Sequence, residues 1–225
     1  FPTRRSSDLI PDLEGFNNTN AFVGEGTLTV TCLDPSAEIH YTTDGSTPTL
    51  ESPQYKEPVK VTETTDFTFR TFRPKGKKGD IVKTRFIKSE YAPAAEATPS
   101  KKGLQAVWHE FRGSACDEIE KAPVNGTYEI SEVTIPAEVK GNIGLVVTGY
   151  FNAPEDGIYT FNLLSDDGST LKVDGELVVD NDGPHSPREV VGQKALAKGL
   201  HPIEVKYFDH NGGMQIGRAS CRERV

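Results

Sequence analysis

Apolar and polar residues alternate with a period of two along most of this chain, the pattern of half-buried β-strands. Leu28, Val30 and Cys32 alternate with Thr27, Thr29 and Thr31, and residues 38–42, 59–61, 66–70 and 81–87 continue the series. Thr43-Asp44-Gly45-Ser46 supplies the residues of a tight turn, and Lys75-Gly76-Lys77-Lys78-Gly79-Asp80 reads as a polar loop tip. Leu104, Ala106 and Trp108 alternate in turn. Residues 143–151 form a nearly continuous apolar run that suits a sheet centre. Residues 158–164 place Tyr159, Phe161 and Leu163 on one face. Asp174-Gly175 joins 171–173 to 177–179 as a hairpin, and 201–208 is the last clear strand. Only 190–198 is ambiguous between helix and strand. Strands this short and evenly spaced predict an all-β chain built from β-sandwich modules.

The periodicity lapses at Tyr91-Ala92-Pro93-Ala94-Ala95-Glu96-Ala97-Thr98-Pro99-Ser100-Lys101-Lys102, which reads as an exposed linker. The expected organisation is a module over 10–90, a linker over 91–102 and a second module over 103–215. Residues 1–9 and 216–225 fall outside it. Back-translated, these two ends are reverse complements over most of their length and resemble a sequencing adapter read in two directions, so they are expected to be adapter-derived. Without Arg4, Arg5, Arg218, Arg222, Arg224, Asp8 and Glu223, Lys plus Arg falls to 20 and Asp plus Glu to 31, and the net charge moves from −8 to −11. Such an acidic chain repels polyanions, so nucleic acid and anionic membranes are not expected partners. No apolar run is long enough to span a bilayer. Cys32 and Cys116, one in each half, form neither a disulfide framework nor a metal site and read as small buried apolar residues.

The first module resembles the small C-terminal module of chitobiases and β-hexosaminidases. The resemblance rests on Ile39-His40-Tyr41-Thr42-Thr43-Asp44-Gly45-Ser46-Thr47-Pro48, then Ser52-Pro53-Gln54-Tyr55 and Pro58-Val59. It implies a small Ig-like sandwich. Tyr41 and Tyr55 are either sugar-stacking platforms or packing residues at the base of a hairpin, and turn chemistry alone accounts for the motif. The second module is similar to the PA-fourteen domain, a β-sandwich named from anthrax protective antigen. The similarity is carried by Gly149-Tyr150-Phe151-Asn152-Ala153-Pro154-Glu155-Asp156-Gly157, Ser165-Asp166-Asp167-Gly168-Ser169, Val173-Asp174-Gly175, Asp180-Asn181-Asp182-Gly183 and Gly199-Leu200-His201-Pro202. Asn211-Gly212-Gly213 closes the match. The family follows that turn with one more strand. The module is therefore expected to be truncated there, leaving the strand with Ile203, Val205 and Tyr207 at an open edge.

In the adhesin branch of that family an adjacent aspartate pair binds Ca²⁺, and Asp166 and Asp167 match the pair by position. Side-by-side carboxylates call for a cation or several donors, and a hard cation such as Ca²⁺ suits oxygen ligands. The alternative is that Asp166 and Asp167 shape the turn by hydrogen bonds to backbone. Asn181 and Asp182 are the candidates for a second ligand loop, and His185 and His210 flank glycine-rich turns at one end of the sandwich. Asp180-Asn181-Asp182-Gly183 is no EF-hand, which would need Glu where Val191 stands. Asp117-Glu118 matches the acidic pair of β-hexosaminidases in type only and reads as solvated surface. No serine-nucleophile elbow and no phosphate loop occurs.

Three readings follow. The resemblances imply a non-catalytic accessory region of a secreted bacterial glycoside hydrolase. A β-N-acetylhexosaminidase heads that reading, ahead of an α-L-fucosidase or β-glucosidase. Its partners would be glycans or the parent's catalytic domain, in the periplasm, at the cell surface or outside the cell. The others are a Ca²⁺-dependent lectin or adhesin segment and a structural spacer.

Overall fold

The computed structural model describes residues 9–11, 19–32, 34–139, 141–209 and 215–224. The chain divides into two compact units, residues 1–90 and 91–225, and both are built from strands. No helix among the described residues is long and apolar enough to cross a membrane.

The first unit contains β1 (Leu9–Pro11), β2 (Thr19–Phe22), β3 (Gly26–Leu28), β4 (Val30–Cys32), β5 (Glu38–Thr42), β6 (Val59–Val61), β7 (Thr65–Arg73) and β8 (Lys77–Lys88). Its main sheet has the order β2-β8-β7-β5, with β2 parallel to β8; β3 pairs β6 and β4 pairs β1. The single strand expected over 27–32 is two. Leu28 and Val30 both point into the core, but the chain changes partner across Thr29. The polar tip shrinks to a 3-10 turn, Pro74–Gly76, with Lys75 at φ 67. Phe67 and Phe69 lie on one face of β7 and stack at 5.9 Å, while Phe86 meets Phe67 edge-on at 5.8 Å. Phe22, Leu28, Val30, Ile39 and Val61 complete this core.

The second unit contains β9 (Leu104–Glu110), a 3-10 turn (Cys116–Lys121), β10 (Val124–Ile130), β11 (Ile143–Ala153), β12 (Gly157–Asp166), β13 (Ser169–Val173), β14 (Glu176–Asn181), β15 (Arg188–Leu196), β16 (Gly199–Asp209) and β17 (Gln215–Arg224). The larger sheet has the order β10-β9-β11-β16-β13-β14 and the smaller one β15-β12-β17. Between them Leu145, Val147, Leu171, Val205 and Tyr207 from the larger sheet meet Tyr159, Phe161, Leu163 and Leu196 from the smaller. Each such side chain, fully buried, contributes roughly 1.5–3 kcal/mol. Surface ion pairs such as Lys101–Glu129 contribute roughly 0–1 kcal/mol, so the sandwich is held by its apolar core.

Two local devices fix the geometry. Asp174 (φ 54) and Gly175 (φ 78) form the left-handed pair that a two-residue hairpin requires, joining β13 to β14. Where β15 passes β14 the backbones come so close that a Cβ at Gly192 would lie 2.0 Å from the Val178 carbonyl oxygen. The ambiguous segment 190–198 therefore lies largely in strand, held at that corner.

Three sequence expectations change. The linker is tied down over its first half. Ala92 N–H donates to Ala195 O at 3.0 Å, Ala92 O accepts from Ala197 N–H at 2.9 Å, and Ala95 N–H donates to Leu200 O at 2.8 Å. The alternation does not mark β10, which pairs β9, because its residues alternate only between half-buried and exposed. The expected open edge at Ile203, Val205 and Tyr207 does not exist. β16 is paired along its length by β11 and on its other side by β13. The segment after the Asn-Gly-Gly turn crosses to the smaller sheet, where β17 pairs β12, so residues set outside the fold as adapter-derived lie in a ladder. In hydrogen-exchange measurements on the monomer, the amides of residues 203–207 are expected among the slowest of the chain. Exchange as fast as at residues 98–101 would contradict this pairing.

Candidate functional site

The polar loops singled out in the sequence gather at one end of the second sandwich. The turn between β12 and β13 carries Asp166 and Asp167, joined by a cis peptide bond. The turn is held from beneath. Tyr207 OH donates to Asp166 O at 2.7 Å, Phe208 N–H donates to Gly168 O at 2.9 Å, and the hydroxyls of Ser165 and Ser169 lie 2.6 Å apart.

Asn181, at the end of β14, is fully buried and fully used. Its Nδ2 donates to Ser165 Oγ at 2.9 Å and to Arg188 O at 3.1 Å, and its Oδ1 accepts from Arg188 Nε at 2.6 Å. It ties β12, β14 and the start of β15 together and has no group left for a ligand. Asp182 is equally engaged. Its carboxylate accepts Cys116 N–H at 3.0 and 3.2 Å and Gly183 N–H at 2.8 Å, anchoring the 3-10 turn. Asp167 Oδ1 accepts His185 N–H at 3.0 Å, which joins the β12–β13 turn to the β14–β15 loop. The His185 ring lies with Nε2 2.9 Å from Asn181 O and Nδ1 2.9 Å from Ser186 O. Three of the five predicted residues, Asp167, His185 and Asn181, are thus joined by hydrogen bonds, with Asp166 and Asp182 next to them in the chain and Asp182 turned to the 3-10 turn instead. Arg188, Tyr207 and Cys116 belong to the same network without being part of any motif, and Ser165 belongs to it through the motif that carries Asp166 and Asp167. His210 lies outside the described residues.

This arrangement bears on Ca²⁺, which takes 6–8 oxygen ligands. Among the described residues, no three His, Cys, Asp or Glu side chains converge to hold a metal ion. The oxygens of Asn181 and Asp182 are committed to protein donors, and Arg188 supplies a positive charge within the network. Asn181, Asp182 and Asp167 therefore serve a hydrogen-bonded loop scaffold.

Behind the loops lies an ionic cluster. Burial pushes the Cys116 thiol far up, and its hydrogen bond with Asp182 adds to the shift. Burial works against the charge of Lys206, but the hydrogen bond to Glu120 and the charge of Glu204 outweigh it and hold its pKa above the ordinary value. The same bond holds Glu120 below the usual carboxylate range. In the first unit, Tyr41 packs on Phe69 at 5.9 Å and Tyr55 OH accepts Val30 N–H at 3.0 Å, so both are packing residues. Asp117 and Glu118 sit on the 3-10 turn, where Glu118 pairs with Lys121 at 3.7 Å.

Fold and loop network together define an all-β protein of two small units, the second a sandwich whose conspicuous polar loops gather at one end. The chain belongs to the PA14 domain family, whose model matches residues 100–221. The model of the chitobiase/beta-hexosaminidase C-terminal domain matches residues 18–84. A beta-hexosaminidase of Porphyromonas gingivalis is 28% identical over 210 residues, covering 84% of this chain and 25% of that protein. The chain thus spans about a quarter of that relative's length. Among solved structures, a beta-glucosidase from Kluyveromyces marxianus aligns over 59% of this chain and 18% of its own, at 16% identity and TM-score 0.47. A PA14 sugar-binding domain from an RTX adhesin aligns over 55% and 91%, at 20% identity and TM-score 0.44.

Replacing Asn181 by Ala removes three side-chain hydrogen bonds and leaves Ser165 and Arg188 short of partners. It is expected to lower unfolding stability by about 2–4 kcal/mol, read from denaturant midpoints. A loss under about 0.5 kcal/mol would contradict the hub role. The Glu120–Lys206 contribution is present above the ordinary Glu value of 4.5 and is lost as pH falls through the depressed folded value. On the alkaline side it is complete below 10.5 and is lost as pH rises through the raised Lys206 value. Glu120→Gln is therefore expected to flatten the acid limb of a stability–pH profile. An unchanged limb would mean the pair carries no linkage.

Proposed function

We propose that the chain is a non-catalytic, carbohydrate-binding accessory region of a secreted bacterial glycoside hydrolase, with a β-N-acetylhexosaminidase as the parent. The observation that carries this reading is the match to a beta-hexosaminidase across both modules, over 84% of the chain. The site geometry supports the non-catalytic part. Asp167 and Asp182 are each committed to a backbone N–H of another loop, whereas a glycosidase needs two carboxyl groups facing one another across the bond to be cleaved. Hydrolysis would belong to another part of the parent. This region would hold glycan near it or shape its active site, in the periplasm, at the cell surface or outside the cell. The described residues give a Ca²⁺-dependent lectin no specific support beyond the adjacency of Asp166 and Asp167.

Calorimetric titration of the chain with neutral and acidic oligosaccharides, with and without EDTA, tests the reading. Saturable binding that survives EDTA is expected, with no release of nitrophenol from nitrophenyl N-acetylglucosaminide. Turnover of that substrate overturns the accessory assignment. Binding abolished by EDTA and restored by Ca²⁺ moves the reading to a calcium lectin, and silence across the panel leaves a spacer.

A further inference from the structure

The second unit has an open groove of about 680 Å³ on the outer face of its larger sheet, away from the Asp166–Asp167 turn. We propose that this groove binds a short stretch of a neutral glycan, with Tyr150 as the platform for a sugar ring. The inference rests on the carbohydrate-binding reading above and locates the site.

The groove floor is one cross-strand row. The registers align Gln105 on β9 with Thr148 on β11, Thr148 with Glu204 on β16, and Glu204 with Lys172 on β13. An amide, a hydroxyl, a carboxylate and an ammonium therefore stand side by side on one face of four adjacent strands. Tyr150 lies one row further along β11 and is 42% exposed, although its neighbours Phe151 and Leu145 pack on the core. A half-exposed tyrosine offers a flat apolar face for the C–H side of a pyranose while its hydroxyl stays wet. The polar row offers donors and acceptors to the ring's hydroxyls. The volume lies within the roughly 300–1,000 Å³ of small-ligand sites.

The charges in the groove cancel, which selects a neutral occupant. Lys172 Nζ lies 3.2 Å from Glu204 Oε1, and Lys101 on the rim pairs with Glu129 at 2.7 Å. Glu204 Oε1 is shielded from solvent and held in its pair with Lys172, which leaves the exposed Gln105 amide as the group of the row most open to a ligand hydroxyl. An anionic chain would have to break these pairs, and a cation would find its carboxylate already neutralised. The far end of the groove is rigid. The Asp174-Gly175 hairpin is held by Asp174 N–H to Pro202 O at 2.8 Å and by its carboxylate, 3.0 Å from Nδ1 of the buried His201. A depression of about 920 Å³ on the first unit offers no such platform, because Phe67 beneath it is buried.

The test is titration of the whole chain with triacetylchitotriose and with cellotriose, for the native protein and for Tyr150→Ala, Tyr150→Phe, Gln105→Ala and Asp167→Asn. Tyr150→Ala is expected to weaken binding of at least one probe roughly tenfold or more. Tyr150→Phe keeps the ring and should stay within about twofold, and Gln105→Ala should weaken binding several-fold. Asp167→Asn and EDTA should leave it unchanged. If a probe binds and Asp167→Asn abolishes binding while Tyr150→Ala does not alter it, the groove is overturned and the carbohydrate-binding reading stands. If neither probe binds the native chain, the groove is overturned, and the wider panel with acidic sugars decides the functional reading separately. Displacement of bound probe by self-association of the chain, seen by sedimentation, would also overturn the assignment in favour of a second copy as occupant.

Discussion

The antiparallel ladder between β11 and β16, which runs without interruption from the Ile143–Asp209 pair to the Ala153–Gly199 pair, is the constraint on which the second unit depends. A strand has two faces and two edges, and this pair uses all of them. Its flanks take β9 on one side and β13 on the other. Its inner face supplies Leu145, Val147, Val205 and Tyr207 to the sandwich core. Its outer face is divided. At one end Val146 and Phe208 are covered by Phe111 and by Ile119 and Cys116 of the 3-10 turn, while at the other Thr148, Tyr150 and Glu204 are left without a protein cover. The period of two forces this division. Side chains that alternate away from the core must be covered or polar, and the sequence does one at each end.

Aspartates in this acidic chain are used to close turns. Asp44 accepts the backbone N–H of Ser46 at 3.0 Å and its hydroxyl at 2.6 Å, and Asp34 does the same for Ser36 at 3.0 and 2.7 Å. In both, the side-chain hydrogen bond lowers the carboxyl pKa first and the backbone bond adds to it. Asp182 and Asp167 work at longer range, each binding a loop distant in sequence. A cluster of aspartates at a sandwich end is thus accounted for by N–H groups that would otherwise lack acceptors.

What could be read from the sequence was what depends on neighbours along the chain. The alternation of Tyr159, Phe161 and Leu163 marked β12, and the burial of all three follows it. Asp174-Gly175 announced its hairpin because only left-handed backbone angles close that turn. Family likeness points to Asp166 and Asp167 and offers Asn181 and Asp182 as a second loop, and a glycine-rich turn marks His185, but the commitment of Asn181 is not legible, since Ser165 and Arg188 meet it only across strands. The partners of β16 are hidden for a related reason. The strand that follows it in sequence joins the other sheet, and its real neighbours, β11 and β13, precede it. The row Gln105–Thr148–Glu204–Lys172 was invisible because each member comes from a different strand.

The place of β17 has a consequence for synthesis on the ribosome. The larger sheet is assembled wholly from residues 104–209, so it can close before the remainder of the unit leaves the exit tunnel. The smaller sheet cannot. Until 215–224 emerge, β12 has β15 on one side and bare N–H and C=O groups on the other, in a nascent chain that already presents a packed sandwich. In that interval β12 is open to strand exchange with a neighbouring nascent copy, and pairing with 215–224 closes it.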